Sequence, residues 1–211
     1  MIKNKYCFYL FLSCALLIFR TAPAHDVVVH QNITLNAASS AQEYSTSYCD
    51  FKNMVASDNF KLPVYWMVQG SAHEDDKDAP GDAGGKRSLN HFYDPVHKIG
   101  LTDRPFNPPL PLGRDSFFWA TTTNAPGLDI GFPVNNEGTF NIWSWKNTRG
   151  YEWLGLTSSS QSVRSTNLSQ LFRGLGQVLH LLEDTSQPQH VRNEQHYRIV
   201  CVLVSFSASL L

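Results

Sequence analysis

A chain of 211 residues with 42% apolar and 17% charged side chains can bury one substantial core, leaves little room for two, and is too apolar for wholesale disorder. No apolar run reaches the roughly 20 residues a membrane-crossing helix needs, which excludes an ordinary transmembrane protein. The 17 basic and 18 acidic residues give a net charge of −1 without a basic cluster. That balance argues against a large grip on nucleic-acid phosphates, though not against a metal site that handles phosphate groups.

Residues 1–24 read as a secretory signal peptide. Lys3 and Lys5 make a positive start, residues 7–19 are almost continuously apolar, and Ala22-Pro23-Ala24 is a small-residue cleavage pattern. A retained anchor is the competing reading, and the short apolar run disfavours it. Cleavage after Ala24 makes His25 the first mature residue and removes three basic residues, leaving 14 against 18 acidic ones, a net of −4. The expected location is therefore secreted or periplasmic. Two cysteines remain, Cys49 and Cys201; an exported compartment permits a disulfide, but the spacing does not demand one. No Cys-x-x-Cys occurs, so a metal site must draw on histidines and carboxylates.

The mature chain, taken in order, reads as mainly helical. Residues 27–45 form a first helix, with Ile33, Ala37 and Ala38 at helical spacing after His30. Residues 51–69 suggest a second, interrupted near Pro63. The acidic, glycine-rich stretch 70–90 reads as loop, and 101–140, with six of the eleven prolines, as a long irregular segment. Residues 143–156 are helix-like and 157–162 a polar break. The clearest helix is 168–184, where Leu168, Leu171, Phe172, Leu175, Val178, Leu179 and Leu182 form an expected buried stripe. His180 and Asp184 fall together on the opposite face, and Pro188 limits the helix. The expectation is a mainly α, single multi-helix domain over residues 25–198, followed by an atypical apolar tail, 199–211.

His180 and Asp184, four residues apart, project side by side and reach one cation. Such a pair alone is ordinarily a solvated helix face. Beside His190 and His196, the histidine density brings a metal site level with that plainer reading.

The run Leu175-Gly-Gln-Val-Leu-His180-Leu-Leu-Glu-Asp184-Thr-Ser-Gln-Pro188-Gln-His190 resembles the signature of the zinc-dependent bacterial phospholipases C, whose superfamily includes fungal single-strand-specific nucleases. Asn90-His91-Phe92-Tyr93-Asp94-Pro95 resembles a second motif, in a form closer to the phospholipases. Gly70 with Asp75 resembles a third, and His30 with Ile33 and Ala37 a fourth. The four follow the family's order. The resemblance implies a helical domain around a zinc cluster of up to three ions that hydrolyses phosphate esters. Carried over, Asp75, His91, His180 and Asp184 hold one zinc. Asp184 bridges to a second, held by His30 and by the backbone of His25. His190 and His196 hold the third. The counterpart of Asp75 in the family is also discussed as a general base, so the resemblance makes Asp75 the candidate catalytic residue as well as a ligand. Family members usually begin with Trp where this chain has His25, a mild departure because the backbone supplies the ligands.

The third zinc normally takes a carboxylate a few residues beyond its second histidine. Here Tyr197-Arg198-Ile199-Val200-Cys201 follows His196, and no acidic residue comes after Glu194. That weakens the expected third site; a truncated or frame-shifted end is the favoured reading of the tail, and a divergent core segment the competing one. The leading expectation is an exported phospholipase C-like phosphodiesterase, with a phospholipid or other phosphodiester substrate, transient membrane-surface contact and no stable nucleic-acid partner. A single-strand nuclease or nucleotidase on the same zincs is the alternative, and a catalytically impaired remnant the third reading. His73 and His97 take no role and are expected in exposed loops. Trp119, Trp143, Trp145 and Trp153 fit core packing better than a headgroup pocket. Asn32 and Asn167 match the glycosylation pattern.

Overall fold

A computed structural model describes residues 27–44, 61–75, 87–103, 110–127 and 140–193. The leader, His25, Cys49, Cys201, His196 and the tail lie outside the described residues. Among the described residues six helices dominate: α1 (Val27–Tyr44), α2 (Pro63–Asp75), α3 (Ser116–Thr121), α4 (Trp145–Thr157), α5 (Gln161–Asp184) and α6 (Pro188–Val191). Between them lie a 3-10 turn, Arg87–Asn90, and two antiparallel two-residue pairings: β1 (Thr102–Asp103) with β2 (Leu110–Pro111), and β3 (Ala125–Pro126) with β4 (Phe140–Asn141). The chain is mainly α, as its periodicity indicates. No helix among the described residues is long and apolar enough to cross a membrane.

Local chemistry sets the helix starts. Pro63 opens α2, because its fixed φ suits a first turn whose N–H groups have no partner; the part of the expected 51–69 helix before residue 61 lies outside the described residues. Asp115, Ser144 and Ser160 cap α3, α4 and α5 by accepting from the N–H groups of Phe118, Asn147 and Val163. The Ser160 cap starts α5 seven residues earlier than apolar periodicity alone suggests. The stretch 70–90 is not all loop: α2 runs to Asp75, placing His73 on a helix, and the 3-10 turn takes up residues 87–90.

Helix α5 is the central element, packed most extensively on α2 and then on α4. Leu168, Leu171 and Phe172 form a core with Trp66, Met67, Tyr151 and Leu175. The stripe ends sooner than the periodicity suggests, since Leu182 is 64% exposed. The approach of α2 to α5 is close. A methyl group at Gly70 would strike the backbone carbonyl of Arg173, and one at Gly176 that of Met67. This intimacy buries His180 and Asp184, so the face opposite the leucine stripe is interior, not solvated.

The 101–140 segment contributes core. Trp119 of α3 is fully buried with Ala125 and Leu181, while Leu89, Phe92 and Leu101 form a further cluster. Trp143 is buried as well, whereas Trp145 and Trp153 face outward. Asn193 ties residues near α6 to this region, accepting from the Thr102 N–H and donating to the Gly100 carbonyl, both at 3.0 Å.

Candidate metal centre

The C-terminal ends of α2 and α5 meet, and each ends in Glu-Asp: Glu74-Asp75 and Glu183-Asp184. Both carboxylate pairs sit where helix dipoles are negative, an arrangement that costs free energy unless positive charge is nearby. Four histidines supply imidazoles from four places. His30 comes from α1, His91 from just after the 3-10 turn, His180 from α5 and His190 from α6. All four are buried.

Three of the four hold one ring nitrogen outward on a protein acceptor. His180 Nδ1 donates to the Ser71 carbonyl at 2.7 Å, leaving Nε2 facing Asp184 Oδ2 at 3.3 Å and Asp75 Oδ2 at 3.6 Å. His30 Nδ1 donates to Glu183 Oε2 at 2.7 Å, and its Nε2 lies 3.3 Å from Asp184 Oδ1. His190 Nδ1 lies 3.3 Å from the His91 carbonyl, with Nε2 3.6 Å from Asp184 Oδ1. His91 is reversed: Nδ1 faces Asp184 Oδ2 at 3.0 Å and Asp75 Oδ1 at 3.4 Å, while Nε2 lies 3.5 Å from Glu74 Oε1. The His30 and His180 rings stack 3.7 Å apart, and Phe92 stacks on His190 at 4.5 Å.

The electrostatics match this crowding of carboxylates. Burial opposes the charge on Asp184, but the imidazoles of His180, His30 and His91 outweigh it and hold its carboxyl far below the usual range. Burial also disfavours protonation of His30 and His91. The carboxylates of Asp184 and Glu183 around the first, and of Asp184 and Glu74 around the second, reverse that and raise them to about 9 and about 10. Glu74, fully buried, is brought down to about 2 against its desolvation, chiefly by Arg87 and His91. The cluster demands cationic charge, which protonated histidines meet when nothing else does.

A metal ion fits this demand. His30, Asp75 and His180 form one group able to hold an ion, and His91, His180 and Asp184 another, each with its ligand atoms within 4.8 Å of one another. The strongest indication of fit is a pair of buried atoms. Neither His180 Nε2 nor Asp184 Oδ2 has a hydrogen-bond partner, although the two lie 3.3 Å apart. Buried polar atoms are rarely left so. Lone pairs that converge on one point without aligning on each other suit a shared cation. The outward bonds of His30, His180 and His190 fix their rings as those of metal-ligating histidines are fixed.

Of the residues singled out in the sequence, the structure brings together His30, Asp75, His91, His180, Asp184 and His190. His25 and His196 lie outside the described residues. His73 lies apart from the cluster, 3.5 Å from the Arg173 guanidinium, and exposed His97 bonds Asp94 at 2.7 Å. Sequence reasoning missed Glu74, Glu183 and the Ser71 carbonyl. Each glutamate adjoins an expected ligand, and this was the available signal for the two carboxylates; a backbone carbonyl leaves none. Comparison with known protein families, with curated proteins and with solved structures finds no match for this chain.

Proposed function

We propose that the protein is an exported, zinc-dependent phosphodiesterase of the phospholipase C type. The observation that carries the reading is the convergence of His30, His91, His180, Asp75 and Asp184, with the buried atoms His180 Nε2 and Asp184 Oδ2 left without a hydrogen bond. Imidazoles and carboxylates without thiolates are a suitable donor set for zinc. Asp75, His91 and His180 would hold one ion with Asp184, which would also reach a second beside His30. His190 would serve a third with His196. His25 and His196 belong to this proposal through the family resemblance.

Bound zinc supplies Lewis acidity, bringing the pKa of water to about 7 and neutralising charge on phosphate oxygens. The chain's own contribution is orientation and proton handling. Asp184 is buried among three imidazoles and stays ionised throughout the neutral range. Asp75, with its side chain 24% exposed, is the cluster carboxylate open to solvent, which supports its role as proton acceptor. The Ser71 and His91 carbonyls and the Glu183 carboxylate, on the outer nitrogens of His180, His190 and His30, keep the inner nitrogens aimed at the cluster.

The acidic balance of the mature chain and the Phe92-Tyr93 form of the second motif favour a phospholipid headgroup ester over a polynucleotide. Zinc analysis of the purified chain tests the site. Hydrolysis of a soluble phosphocholine ester, compared with single-stranded DNA, tests the substrate class. Zinc-dependent cleavage of the ester is the expected result; preferential cleavage of DNA would favour the nuclease reading, and absence of bound zinc the remnant.

A further inference from the structure

The cluster includes a carboxylate that takes no part in the proposed ligand set. Glu183 directs its side chain back to α1, where its two oxygens take separate donors: His30 Nδ1 on Oε2 at 2.7 Å and Thr34 Oγ1 on Oε1 at 3.0 Å. His30 and Thr34 lie one helical turn apart on the buried face of α1, together with Ala38. Helix α1 packs chiefly on α2 and meets α5 over a small area, so no broad apolar seam with α5 fixes its rotation. A two-point hold by one carboxylate ties α1 to α5 where the packing between them is slight.

We propose that Glu183 is a positioning residue: braced by Thr34, it holds His30 with Nδ1 outward and Nε2 toward Asp184, and so prepares one of the metal sites. This inference rests on the metal reading above and adds to it a residue that acts through the histidine. A carboxylate can only accept, so Glu183 keeps a hydrogen on Nδ1, and when an ion takes the place of the second proton the lone pair is on Nε2, 3.3 Å from Asp184 Oδ1. Asp184 adjoins Glu183 at the end of the same helix. The dipeptide therefore divides the work, with one carboxylate for the ion and one for the histidine beside it. Thr34 is fully buried, and its hydroxyl has its purpose in this contact.

The test uses the full chain. Zinc affinity is measured by competition with a chelator, and cobalt is titrated spectroscopically, for the unaltered protein, Glu183→Ala, Glu183→Gln and Thr34→Val. Far-ultraviolet circular dichroism and urea unfolding accompany each. The expected result is that Glu183→Ala weakens one metal site by roughly 10–100-fold, the usual scale for loss of such a partner, while the site of His91, His180 and Asp184 keeps its affinity. Glu183→Gln, which still offers a carbonyl oxygen to Nδ1, should recover part of the loss, and Thr34→Val should weaken the same site by a few-fold. Unchanged affinities in folded Glu183→Gln and Thr34→Val would overturn the inference. So would equal weakening of every site in step with a lowered urea midpoint, the mark of a purely structural tie. An unaltered chain that binds neither zinc nor cobalt tightly would instead overturn the metal reading, and the inference with it.

Discussion

His180 Nε2 and Asp184 Oδ2 lie 3.3 Å apart in the interior, one helical turn from each other, and neither is hydrogen-bonded. The Ser71 carbonyl holds the far side of the imidazole, so the ring cannot turn to relieve the mismatch without giving up a 2.7 Å bond. Arrangements of this kind cost free energy in the bare protein and are repaid when a cation enters.

Asp184 contacts three of the clustered histidines on its two oxygens and a fourth at longer range. On the function proposed above, Asp184→Asn should therefore remove at least one zinc and lower phosphodiesterase activity by several orders of magnitude. Metal analysis together with the rate on a phosphocholine ester checks this. Unchanged metal content and rate would leave the cluster as an internal ion-pair network.

Stability of the metal-free chain should depend on pH with a definite sign. His30 and His91 are raised from 6.5 to about 9 and about 10, so their contribution is complete below pH 6.5 and is lost as pH rises through those values. The slope is about 1.4 kcal/mol per pH unit for each histidine between its unfolded and folded pKa. Glu74 is lowered from 4.5 to about 2, so its contribution is present above pH 4.5 and lost as pH falls through about 2. Urea midpoints in chelator should fall from pH 7 to 10. Saturating zinc should flatten that fall, because the ion replaces the protons; parallel curves with and without zinc would contradict the metal reading.

Gly176→Ala should destabilise the protein, although alanine is the better helix former by about 1 kcal/mol. The added methyl meets the Met67 carbonyl on α2, and overpacking of this kind costs about 1–3 kcal/mol. Zinc affinity should fall as well, because separating α2 from α5 draws Ser71 and Asp75 away from His180. Urea unfolding and zinc competition on the same variant read the two effects.

Arg87 neutralises buried Glu74 at 2.6 Å while donating to Asn141 and Gln177. Arg87→Met should cost about 3–5 kcal/mol, since it strands a buried carboxylate. Adding Glu74→Gln should recover part of that loss, which the double variant's urea midpoint would show.

Much of this protein was legible in its sequence because the signals were local. Apolar periodicity marked α5, helical spacing marked α1, and the i, i+4 pair His180/Asp184 followed from the geometry of a single helix. The motifs singled out in the sequence by resemblance named His30, Asp75, His91, His180, Asp184 and His190, which the structure brings together. Periodicity gave no reason to bury the polar side of α5, and 70–90 looked like loop because Glu74, Asp75 and nearby glycines are polar and flexible residues. Whether α2 continued through them depended on what lay across from it.

The sequence by itself determined that this is a mainly helical chain carrying histidines and carboxylates at spacings suited to a cation. Only the tertiary structure decided that these groups are interior, that α2 and α5 approach closely at Gly70 and Gly176, and that Glu183 faces α1 while its neighbour Asp184 faces the cluster. The reason is range. Spacing along one helix is set by its 3.6-residue turn, whereas the orientation of an imidazole depends on acceptors as much as 153 residues away, and no pattern along the chain encodes that partner.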